Sequence, residues 1–205
     1  AKSLGLVPIK GLAGPVEVFE LTGGGLARRR FEASALRGLT RFVGRQMELE
    51  VLARALEQAR AGHGQVVAPV GEAGVGKSRL IWEFTHSHYP QGCLVLQSGA
   101  VSYGKATPYL PILDLLRAYF QLETADDARK TREKVIGRLL ALDRTLESLL
   151  APLLALLDVP VEDPAWQGLD PLRRRQRSLD AVKRLLLRES HVQPVIVVCE
   201  DLHWI

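Results

Sequence analysis

Residues 71 to 78 read Gly71-Glu72-Ala73-Gly74-Val75-Gly76-Lys77-Ser78, which satisfies G-x-x-x-x-G-K-[ST] without a mismatch. The chemistry such a segment can perform is anion capture: a tight glycine turn frees backbone N–H groups, and the start of the following helix aims more of them at the same point. Lys77 would reach the outer phosphates of a nucleotide, and the Ser78 hydroxyl would ligate Mg²⁺. Gly71, Gly74 and Gly76 do not make G-x-G-x-x-G, so the turn is not of the dinucleotide-binding kind. A phosphate site also needs carboxylates to hold the metal's water shell and orient an attacking water. Glu200 and Asp201 follow the apolar run Val195 to Cys199 and are the candidates.

Two strands and a helix must carry these residues. Gln65 to Val70 is predicted as a buried strand into the loop, with Pro69 costing one ladder donor, and Ser78 to His86 places Leu80, Ile81 and Phe84 at helical spacing. The unbroken apolar run Val195 to Cys199 predicts a parallel strand covered on both faces. Elsewhere, Leu6 to Ile9 and Pro15 to Leu21 predict two strands around a Lys10-Gly11 turn. Helices are predicted over Gln46 to Ala61, from Pro108 and Pro111 to Gln121, from Thr124 and Asp127 (a capping-box pattern) to Leu142, and over Arg144 to Leu157. Cys93 to Leu96 predicts another strand, and Val159 to Gly168 a loop. Asp170 as N-cap and Pro171 as first residue open the last helix, with Leu172, Leu179, Val182 and Leu186 facing inward. Strands alternating with helices give an α/β layered fold.

Composition limits the alternatives. The chain has 205 residues, is 47% hydrophobic and carries a net charge of +4, with acids and bases interspersed. That is ample for a packed core and argues against a nucleic-acid face. The clusters Arg28 to Arg30 and Arg173 to Arg175 read as solvated surface. Cys93 and Cys199, without a C-x-x-C pair, fit a reduced, cytoplasmic setting. Leu149 to Leu157 is interrupted by Pro152 and too short for a membrane span. The five histidines show no zinc spacing, with His86 and His88 expected on different sides of a helix. The sequence opens on Ala-Lys-Ser and stops four residues after Asp201, from which we expect a piece of a longer protein.

Residues 41 to 205 resemble the AAA-like ATPase module of the STAND group of P-loop NTPases, found in bacterial signalling proteins. The resemblance rests on Phe42-Val43-Gly44-Arg45 with Glu48-Leu49, the loop Gly71 to Ser78 (a Walker A sequence) with Arg79-Leu80, Ser102-Tyr103 to Thr107-Pro108-Tyr109, and Cys199 to Trp204. It implies ATP and Mg²⁺ as ligands. It also implies nucleotide contacts from Gly44, Arg45 and Arg79 besides the loop, Glu200 in the magnesium shell and Asp201 positioning water. Gln46 stands where that group usually has glutamate. Residues 1 to 22 resemble the C-terminal edge of a class III adenylate/guanylate cyclase domain, through Pro8-Ile9-Lys10-Gly11-Leu12 and Pro15 to Leu21. That implies a phosphate contact for Lys10, with residues 23 to 40 as linker. Together the two imply an incomplete P-loop NTPase, a parallel sheet with flanking helices, preceded by a β-hairpin remnant of a cyclase domain.

The implied function is an ATP- and Mg²⁺-binding switch in an intracellular signalling protein that regulates an attached nucleotide cyclase and meets regulatory protein partners. The alternatives are a parent whose main activity is cyclic-nucleotide synthesis, or a non-hydrolysing nucleotide-binding scaffold. In the group's strand order, the strand between the loop strand and the acid strand comes fourth, beyond Ile205. We therefore expect a gap or a mispairing in the sheet, weak hydrolysis or none, and no cyclase activity from these residues. The strands of Cys93 and Cys199 are expected as parallel neighbours, their thiols free, buried and too far apart to bridge.

Overall fold

The computed structural model describes residues 2–8, 14–20, 31, 35, 38–99 and 109–202. The chain divides into two compact units, Ala1–Gly44 and Arg45–Ile205.

In the first unit, β1 (Lys2–Val7) and β2 (Val16–Glu20) pair antiparallel, from Lys2 opposite Glu20 to Val7 opposite Val16. The register slips between Ser3 and Gly5, a bulge that Gly5 permits with φ 85°. Ser3 Oγ donates to Glu17 Oε1 across the ribbon at 2.9 Å. The two expected strands are therefore present, though β1 starts earlier and ends before Ile9. Lys10 and its turn lie outside the described residues, as does most of the 23–40 segment.

The second unit is helices around a two-stranded parallel sheet. In chain order it comprises α1 (Gln46–Arg60), α2 (Lys77–Thr85), β3 (Leu94–Gly99), α3 (Leu110–Tyr119), α4 (Ala128–Leu142), a 3-10 turn (Arg144–Leu149), α5 (Leu150–Leu156), α6 (Pro164–Gln167), α7 (Pro171–Ser190) and β4 (Val195–Glu200). Strands β3 and β4 are parallel neighbours, Leu94 opposite Val195 through Gly99 opposite Glu200. One core joins Leu96 of β3 to Leu115, Leu116 and Tyr119 of α3, Val135 and Leu139 of α4, Leu153 of α5 and Leu185 of α7. Aspartates start three of these helices, with Asp127, Asp163 and Asp170 accepting from Lys130 N, Ala165 N and Arg173 N.

Several expectations need correction. Gln65 to Val70 is not a strand: it belongs to neither sheet, and Val66 and Val70 are 99% and 93% exposed. A strand exists only through its neighbours' hydrogen bonds, and none of the described strands lies beside this segment. The expected gap and the expected mispairing both presupposed a loop strand, and with none formed at 65–70 neither is seen among the described residues. Strand β4 is not covered on both faces, since Val197 and Cys199 face outward and are exposed. The two cysteines are free as expected but not buried, Cys93 being half-buried. In α7 the inward face is Ser178, Ala181, Val182, Leu185 and Glu189, while Leu172 and Leu179 are exposed. Asp127 caps α4 with its own side chain in place of a capping box from Thr124. The helix predicted over Arg144 to Leu157 starts as a 3-10 turn, and the 159–168 loop contains α6. Helix α2 stops at Thr85, so His86 lies past its end, stacked on Trp82 at 3.6 Å.

Candidate functional site

Gly74 and Gly76 have φ 83° and 91°, left-handed values that cost a side chain strain and glycine almost nothing. At Gly71 a Cβ would sit tightly against Val75 Cγ2, at 3.2 Å, and the Val75 side chain would have to give way slightly to admit it. Gly74 and Gly76 thus have physical work to do in turning residues 71–76 into α2. Gly76 is the N-cap of α2, and no side chain caps the helix or brings an acid into its first turn. Helices α1 and α3 also lack a side-chain cap. What sets α2 apart is the pair of left-handed glycines that delivers the chain to an open N-terminus.

Lys77 lies over this turn. Its Nζ donates to the carbonyls of Gly71 and Glu72, both at 2.8 Å. An ammonium so placed can exchange carbonyl oxygens for phosphate oxygens with little movement of its stem. Arg45, N-cap of α1, crosses to the same loop: Nη2 donates to Val75 O at 2.8 Å and Nη1 to Glu48 Oε1 at 2.9 Å. Hydrogen bonds from the backbone of its own helix turn, then from Arg45, hold the Glu48 carboxyl below its usual range. Arg79 pairs with Glu83 one turn along α2, Nε to Oε1 at 2.6 Å.

The structure thus gathers Gly71, Glu72, Val75, Gly76 and Lys77 with Arg45. Ser78 is half-buried in the first turn of α2. Gly44, in the first unit, has φ 76°. The acids are placed by a different element. Glu200 ends β4 opposite Gly99, half-buried, and Asp201 follows, exposed, with φ 57°. Aspartate tolerates that region better than most residues, and the turn there changes the direction of the chain directly after the strand. No strand among the described residues ties β4 to the segment entering the loop. Glu48 was not foreseen as the anchor of Arg45. Its signal was an arginine and a glutamate three apart at a helix start, a pairing distance.

Ser78 and Glu200 offer hard oxygen donors, which suit Mg²⁺. That ion keeps several waters and is usually held through one or two protein oxygens plus substrate phosphates. The described residues contain no group of three or more His, Cys, Asp or Glu able to hold a metal. No helix among them is long and apolar enough to cross a membrane.

A sequence profile described as an AAA ATPase domain matches residues 41–205. An uncharacterized protein of Rhizobium meliloti (strain 1021) is 24% identical over 197 residues, covering 96% of this chain and 19% of that protein. The chain therefore spans about a fifth of the length of that relative. No solved structure matches the chain.

Proposed function

Since the chain belongs to the AAA ATPase domain family, a nucleotide-binding P-loop family that binds ATP, typically with Mg²⁺, we propose that residues 71–78 hold the phosphates of ATP. In this reading the N–H groups from Glu72 to Ser78 bind the phosphate oxygens, and Lys77 turns from the Gly71 and Glu72 carbonyls to the outer phosphates. Ser78 Oγ and the Glu200 carboxylate would hold Mg²⁺, a charge that offsets the triphosphate's. Asp201 orients a water for attack, and Gly44, Arg45 and Arg79 border the nucleotide. The observation that carries the reading is the open N-terminus of α2 behind two left-handed glycines, with an ammonium already poised over it.

Titrating the whole protein with ATP, with and without Mg²⁺, tests it. Lys77→Ala removes a charge-assisted contact, so affinity should fall about 10- to 100-fold. Equal affinity for wild type and variant would overturn the assignment.

We further infer, from the resemblance of residues 1–22 alone, that the ATPase unit of residues 41–205 regulates an attached nucleotide cyclase in an intracellular signalling protein. The test is cyclic-nucleotide synthesis by the whole protein with and without Lys77→Ala. A cyclase rate that ignores the substitution, or no cyclase activity at all, would leave the ATPase unit standing alone.

A further inference from the structure

We propose that Arg45 is a positioning residue that latches the phosphate loop from behind, holding the Val75 carbonyl so that the Gly76 N–H faces the anion. The proposal deepens, and rests on, the reading of residues 71–78 as a phosphate site. A peptide unit is planar, with its C=O and the following N–H pointing in opposite directions. A donor that grips Val75 O from one side therefore turns the Gly76 N–H to the other. The Nη2 to Val75 O bond is 2.8 Å long and spans 30 residues of sequence.

The loop needs such a hold. Gly76, at φ 91°, has open space beside its Cα, where even a Cβ would meet nothing within 4 Å. The entering segment 65–70 is in neither sheet, so no ladder stiffens that side of the turn. Lys77 secures the carbonyls of Gly71 and Glu72, at the beginning of the loop. Arg45 secures the one at its end.

Glu48 completes the device by holding the other arm of the guanidinium at 2.9 Å, fixing the fork to the first turn of α1. A planar five-donor group can serve both acceptors at once, which the single ammonium of lysine does less well. The role differs from direct contact with the nucleotide, and the difference has a sign. Removing the negative charge of Glu48 should tighten an anion held directly by Arg45, on Coulomb grounds. If Arg45 acts through Val75, the same change loosens the latch and weakens the anion.

The experiment measures affinity of the whole protein for inorganic tripolyphosphate and for ATP, in wild type, Arg45→Ala, Arg45→Lys, Glu48→Gln and Lys77→Ala. Both Arg45 and Glu48 side chains are about 40% exposed, at 42% and 39%, so the fold should tolerate these changes, with circular dichroism as the control. We expect Arg45→Ala to weaken tripolyphosphate and ATP by the same factor, about tenfold. Arg45→Lys should recover part of that loss, and Glu48→Gln should weaken both ligands by a smaller factor. Loss of ATP affinity with tripolyphosphate unchanged, tighter binding in Glu48→Gln, or no effect of Arg45→Ala would each overturn the latch. If Lys77→Ala also changes nothing, the phosphate-site reading fails with it. If only Lys77→Ala matters, the latch fails alone.

Discussion

Asp143 Oδ2 lies 2.7 Å from Arg188 Nε, joining the end of α4 to the end of α7. The same carboxylate caps the 3-10 turn through Thr145 N at 2.9 Å and the Thr145 hydroxyl at 2.8 Å. The Arg188 guanidinium, then these two donors, pull its pKa down to about 2. A depressed carboxylate stabilises the fold above its unfolded pKa, near 3.9, and that contribution disappears as pH falls through the folded value. Asp126 is shifted the same way by the Glu123 N–H and then by Lys130 and Lys134. Wild type should therefore lose stability between about pH 4 and pH 2, and Asp143→Asn should be less stable than wild type at pH 6 by a margin that closes toward pH 2. Urea midpoints across that range measure it, and a constant margin would contradict the linkage. At this scale much of the candidate site was legible in sequence. Glycines at 74 and 76 announce left-handed backbone, and Lys77 falls where the turn can use a cation. The partners of Arg45 were less visible, because one is a backbone carbonyl and carries no residue signature.

Helices α3 and α7 are tied by a polar contact inside the core. Tyr119, 2% exposed, donates its hydroxyl to Glu189 Oε2 at 2.5 Å, and Gln193 Nε2 donates to Oε1 at 2.6 Å. Burial, then the Glu189 carboxylate, push the Tyr119 phenol above its usual range, so it stays protonated and remains a donor. The Arg138 guanidinium lies over the Tyr119 ring at 4.8 Å, adding α4 to the cluster. Tyr119→Phe leaves a buried carboxylate short of one donor and should cost about 1–3 kcal/mol in denaturant unfolding. A change under about 0.5 kcal/mol, the size of an ordinary surface substitution, would mean the bond is not made. This cluster also explains a misreading. Sequence reasoning assigned leucines to the inner face of α7, yet Ser178 and Glu189 are inside while Leu172 and Leu179 are out. A glutamate that brings its own partners inward, as Glu189 does, is invisible to a periodicity of apolar residues. Helix starts fared better, since Asp170-Pro171 acts locally and needs no distant partner.

At the scale of the molecule, the core of the second unit is built from β3, β4 and helices α3, α4, α5 and α7. Leu52, Leu56, Leu80 and Phe84 bury a smaller patch where α1 meets α2, away from that cluster. The phosphate loop thus stands on the smaller patch and the acids on the main one. Local signals could place each half, but a strand forms only by pairing with a distant segment, and Gln65 to Val70 shows the difference. Its composition reads as a strand, and its backbone has no ladder. Val66 and Val70, almost wholly in water beside unpaired amides and carbonyls, make that stretch a template on which another molecule could build intermolecular β-structure. Pro69 is the lone gatekeeper within it. Concentrated solutions of the chain should therefore self-associate, light scattering should rise with protein concentration, and Val66→Lys should suppress that rise without altering thermal unfolding.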